Sequence, residues 1–134
     1  YGAFKFALKK PTLFGFAGSM SGAFIAPQLL ERNCLKDFEE LLPSIEKVFG
    51  KTENQSRLDN DVIRLIEKLP TEFIENLPYI YLDCGVKDAF LDTNREIAKL
   101  FKQRKIRFEY HEEKGGHDWI YWDRQLRKVL DIAE

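Results

Sequence analysis

Hydrophobic positions along the chain fall into helical spacing in some stretches and into short dense runs in others, with Pro or Gly at most of the changes. Phe4, Ala7 and Leu8 share one face of a predicted helix over residues 2–10, which Pro11 ends because it lacks the N–H that continuation requires. Residues 13–17, LFGFA, form a dense apolar run bounded by Gly18, Ser19, Ser21 and Gly22, and predict a strand buried on both faces. From residue 27 to Gly50 the pattern is helical but interrupted: Leu41, Leu42, Ile45 and Val48 are its apolar positions, and Pro43 forces a restart. The stretch KTENQSR reads as a polar loop. Beyond it, Asp59 or Asn60 is expected to cap a helix that carries Val62, Leu65, Ile66 and Leu69 and stops at Pro70.

Pro78 introduces a second strand over residues 79–84, rich in aromatic and aliphatic side chains and closed by Gly85. Thr93 and Glu96 have the spacing of a capping box, which predicts a helix with Ile97, Leu100 and Phe101 inward and a basic end at Lys102, Arg104 and Lys105. Residues 106–111 alternate apolar and polar side chains, as in an edge strand with one wetter face. After Gly115 and Gly116, Trp119, Trp122, Leu126, Val129 and Ala133 mark the expected inner face of a last helix, with Asp118 as its cap. Strands separated by helices predict an α/β fold in one domain over residues 1–134: parallel strands joined by right-handed crossovers, with helices on both faces of the sheet.

The composition narrows the classes of function. The 134 residues hold 21 basic and 22 acidic side chains, interspersed, for a net charge of -1, which gives no reason to expect nucleic acid as a partner. No apolar run approaches the roughly 18–20 residues of a spanning helix, so no membrane partner is expected either. The first residue is Tyr1 rather than Met, so the lack of a signal peptide says little about compartment. Cys34 and Cys84 are read as free, buried thiols, because two distant cysteines make neither a disulfide framework nor a paired zinc site.

In an open α/β sheet, ligands bind beyond the carboxyl ends of the strands. Asp88 follows the second strand and His117 the third, so both fall on that rim. An acid after one strand and a histidine after the next is the order of the last two members of a Ser-Asp-His triad. Asp83 and Asp92 compete with Asp88, but Asp83 falls inside a strand and Asp92 reads as a helix cap. His111, Glu112, Glu113 and His117 offer metal-binding atoms within one segment, yet their spacing fits no compact zinc pattern, and neither metal nor cofactor is expected.

Local sequence adds a family resemblance. LDCGVKDAFLDTN around Asp88 and EKGGHDWIYWDRQL around His117 resemble the putative-esterase family of α/β-hydrolases, and GSMSGAF and VFGKTENQSRLDND occur in that family's order. Its members include S-formylglutathione hydrolases, tributyrin and feruloyl esterases and enterochelin-esterase-like proteins. The opening YGAFKFALK is similar to the helix that follows the family's Gly-x-Ser-Met-Gly-Gly nucleophile elbow, which would therefore lie immediately before Tyr1. The resemblance implies the C-terminal half of an α/β-hydrolase, with Asp88 and His117 as catalytic acid and base and a small acyl ester or thioester as substrate.

Gly18-Ser19-Met20-Ser21-Gly22 has the residue types of an elbow, but neither Ser19 nor Ser21 has glycine two positions before and after it. By resemblance this segment is a strand end bordering the active site, with Ser21 and Trp119 as candidate pocket-lining residues. A polypeptide of these 134 residues alone is expected to lack esterase activity and to expose an unpaired strand edge. It would pair with the missing N-terminal half of the same fold, or with another copy as a homo-oligomer. The competing reading is a non-catalytic binding or interaction module on an esterase-like scaffold.

Overall fold

A computed structural model of the chain describes residues 1–28, 40, 42–50 and 54–134. Three strands, β1 (Phe16–Met20), β2 (Tyr79–Gly85) and β3 (Glu109–Glu113), form a parallel sheet in the order β1-β2-β3. Phe16 pairs with Tyr79 and Met20 with Asp83, while Tyr81 pairs with Glu109 and Gly85 with Glu113. Because alternate residues of a strand face opposite sides, Ala17, Ile80 and Leu82 point into one core while Gly18, Tyr81 and Asp83 face the other layer.

The first layer holds α1 (Gly2–Lys9), α4 (Val62–Lys68) and α6 (Leu91–Gln103). Phe4, Val62, Ile66, Ile97 and Phe101 are buried there against Ile80 and Leu82. The opposite face carries α7 (Trp119–Ala133), whose Val129 packs so closely over Gly18 that a Cβ there would lie 3.2 Å from Val129 Cγ1. Three shorter helices, α2 (Leu42–Phe49), α3 (Gln55–Asn60) and α5 (Thr71–Ile74), lie in the long crossover from β1 to β2. No helix among the described residues is long and apolar enough to cross a membrane.

Phe101 is the centre of the first layer, fully buried with its ring 5.8 Å from Phe4 and 5.3 Å from Phe108. Replacing it with alanine in the complete protein is expected to remove roughly 3–5 kcal/mol of stability, the usual cost of a large core cavity. A urea midpoint within error of the wild type would show that this ring is not central.

Several expected elements differ. The first strand lies at Phe16–Met20 instead of residues 13–17, because Leu13 closes a turn on Lys10 and both Leu13 and Phe14 are exposed. The third lies at Glu109–Glu113 instead of 106–111. Lys105, at φ 57, and Ile106 prolong the end of α6: their amides bond the carbonyls of Lys102 and Phe101, a Schellman closure that tucks Ile106 into the core. Residues 55–57 of the expected polar loop are helical instead, opening α3 behind the cap Asn54, with Arg57 buried and donating to the carbonyl of Phe49. The cap of α4 is Asp61, not Asp59 or Asn60.

Thr93 lies inside α6 and donates to the Phe90 carbonyl instead of capping, and Asp92 is an exposed first-turn residue instead of a cap. Phe49 and not Val48 is buried in α2; Leu41 and Cys34 lie outside the described residues. On α7 the inner face is Tyr121, Gln125 and Val129. Of the expected inner face Val129 is buried and Trp122 half-buried, whereas Trp119, at 81% exposure, Leu126 and Ala133 face outward.

Candidate active site

The loop after β2 is tied to the loop after β3 by backbone bonds. Val86 donates to Glu113 at 2.8 Å and Lys87 to Gly115 at 2.9 Å, extending the ladder past the ends of the strands. The approach is so close that a Cβ on Gly85 would lie 2.5 Å from the Gly115 carbonyl oxygen. Gly115 itself sits at φ 152 with the Tyr121 ring 2.4 Å from where a Cβ would stand, so both steric space and backbone geometry demand glycine there.

This crossing brings together the two expected site residues. His117 Nδ1 lies 3.1 Å from Asp88 Oδ2, and the Asp88 side chain is fully buried while that of His117 is 42% exposed. The other carboxylate oxygen, Oδ1, accepts the Phe90 amide at 2.8 Å, a local turn that fixes the acid before α6 begins. Phe90 and Trp122 flank the imidazole edge-on, at centroid distances of 5.1 and 4.8 Å. Asp118 caps α7 through Tyr121 N at 2.8 Å, as the sequence predicts. With Nδ1 facing the carboxylate, Nε2 is the ring nitrogen turned away from it.

The remaining candidates lie outside the Asp88–His117 pair. Asp83 is buried within β2 and accepts a 2.7 Å hydrogen bond from Tyr121. Ser19 and Ser21 are buried at the end of β1, with Ser21 at φ 57, its amide on the Asp83 carbonyl and its hydroxyl against the Cys84 thiol. Burial and the neighbouring Asp88 push that free thiol up to about 12, so it stays protonated at neutral pH. His111 pairs with Glu109, Glu112 with Arg95 and Glu113 with Lys128. Trp119 stands edge-on to Trp122 at 5.2 Å. The cleft of about 970 Å³ between α5 and the start of β3 is lined by Ile74, Tyr79, Arg104 and Phe108, at the opposite ends of the strands from His117.

The residues that sequence reasoning missed are Phe90, Trp122 and Tyr121. Only the closeness of Phe90 to Asp88, and of the other two to His117, could have signalled them.

A parallel sheet covered on both faces, with its acid and histidine loops at the carboxyl ends of β2 and β3, defines an α/β-hydrolase fold. The chain belongs to the family described as Putative esterase, which matches residues 1–131. An acetyl esterase of Caldicellulosiruptor saccharolyticus is 29% identical over 134 residues, covering 98% of this chain and 49% of the relative. Among solved structures, a fluorophosphonate-binding serine hydrolase of Staphylococcus aureus with substrate bound superimposes with a TM-score of 0.78 at 24% identity, over 100% of this chain and 50% of that one. A ferulic acid esterase gives 0.74 at 20% identity, over 98% and 46%. The chain thus spans about half the length of the relatives it matches.

Proposed function

We propose that this chain is part of a serine esterase in which His117 is the general base and Asp88 the acid that orients it. A segment preceding Tyr1 supplies the nucleophilic serine and the oxyanion-hole amides. The observation that supports this reading best is the 3.1 Å approach of His117 Nδ1 to a fully buried Asp88 carboxylate. A proton donated from Nδ1 to Asp88 leaves Nε2 as the acceptor, which is the tautomer a base needs.

In the first half-reaction, Nε2 takes the serine proton as Oγ attacks the acyl carbon, then returns it to the departing alcohol or thiol. In the second, the same nitrogen deprotonates the water that cleaves the acyl-enzyme. Asp88 holds the ring and balances the transient imidazolium charge. The substrates are small acyl esters or thioesters. The acetyl esterase relative supports that class, and Ser21 and Trp119 are proposed to line the pocket.

The exposed side chains of Leu13, Phe14, Ile120 and Leu130 and the outer edge of β1 are proposed to contact the other half of the fold. A fluorophosphonate probe should label the complete protein at one serine upstream of Tyr1 and leave a polypeptide of residues 1–134 unlabelled. Labelling of that polypeptide, or of Ser19 or Ser21 in the complete protein, would overturn the assignment.

A further inference from the structure

We propose that Asp83 and Tyr121 form a buried clamp that sets the position of the His117 ring, an inference that rests on His117 being the base. Asp83 faces α7 from β2, and its Oδ1 accepts the Tyr121 hydroxyl at 2.7 Å with both side chains out of solvent. An aliphatic residue at 83 and phenylalanine at 121 would fill the same space without desolvating a carboxylate and a phenol. The polar pair must therefore supply something that packing does not.

What it supplies is a fixed place for the first turn of α7, and that turn holds His117 from several directions. The Tyr121 ring lies against Gly115, two residues before the histidine, and its backbone amide bonds Asp118, one residue after it. The next residue, Trp122, places its ring against the imidazole. On the strand side, Gly85, two residues beyond Asp83, abuts the Gly115 carbonyl. Rotation of α7 about its axis would move the Tyr121 and Trp122 contacts together. The hydroxyl–carboxylate bond ties that rotation to β2, the strand that also delivers Asp88. Burial drives the Asp83 carboxyl above its ordinary range, and the hydrogen bond from Tyr121 works against that rise.

Tyr121 and Asp83 are thus positioning residues that act through His117. In the complete protein, Tyr121→Phe is expected to lower kcat for p-nitrophenyl acetate by about 10- to 100-fold, the scale of a misplacement near one ångström. KM should stay unchanged. The His117 Nδ1 proton resonance, identified by its loss in His117→Gln, should shift or broaden.

Asp83→Asn, which keeps an acceptor oxygen, should retain most of the activity. Asp83→Leu should match Tyr121→Phe, and the double variant should be no worse than either. Tyr79→Phe, which removes a similar phenol–carboxylate bond to Glu109 at the surface, serves as the control. Wild-type kcat and an unmoved resonance in Tyr121→Phe would overturn the clamp, as would an Asp83→Asn variant as impaired as Asp83→Leu. Should His117 prove dispensable for hydrolysis, the reading of the base fails, yet the resonance still reports whether Tyr121 positions that ring.

Discussion

His117→Ala in the complete esterase is expected to lower kcat by about a million-fold, the loss seen when the base of a comparable triad is removed. The size follows from the two proton transfers proposed for the ring in each turnover. Without it, serine must attack with its proton in place and the leaving group must depart unprotonated. Asp88→Asn should cost less, about ten-thousand-fold, because the ring remains while an amide no longer selects the tautomer that leaves Nε2 free. Combining the two should add little to His117→Ala, since the acid acts through the base. p-Nitrophenyl acetate turnover with active-site titration measures all three. Full turnover in His117→Ala would place the base elsewhere.

The second large effect is expected from a single methyl group. Gly85→Ala puts a Cβ 2.5 Å from the Gly115 backbone oxygen, and neither partner is the flexible end of a side chain. The two loops must separate, stretching the bond from Lys87 N to Gly115 O that holds them. Stability should fall by roughly 1–3 kcal/mol through overpacking. kcat should fall by about 100-fold, because the acid and histidine ride on opposite sides of that contact. An active, fully stable Gly85→Ala protein would mean that the loops tolerate separation.

Much of this architecture can be read from residue pattern, and the failures share a cause. β2 is legible because its apolar run is also its hydrogen-bonded run. In β1 and β3 the two come apart: Leu13 and Phe14 are apolar but exposed, while Ser19, Glu109 and Glu112 hold ladder positions. Ile106 is apolar because it seals the end of a helix. α7 misleads through Gln125, a fully buried amide that breaks the apolar period linking Tyr121 to Val129 and leaves Trp119 and Leu126 as the visible stripe. In α3, Asn54 and Arg57 resemble loop residues because they serve the backbone of the preceding turn. Asp88 and His117 could be paired because their loops follow neighbouring parallel strands. The bond from Tyr121 to Asp83 is not legible, because the two lie 38 positions apart and Asp83 looks like any strand residue.

At the crossing of the two loops, the bonds that set the acid-to-histidine distance run between residues 83 and 122 of this chain, so the pair is carried as a self-contained cassette. Residues outside that stretch take no part in the His117–Asp88 contact or in the backbone bonds that join the two loops.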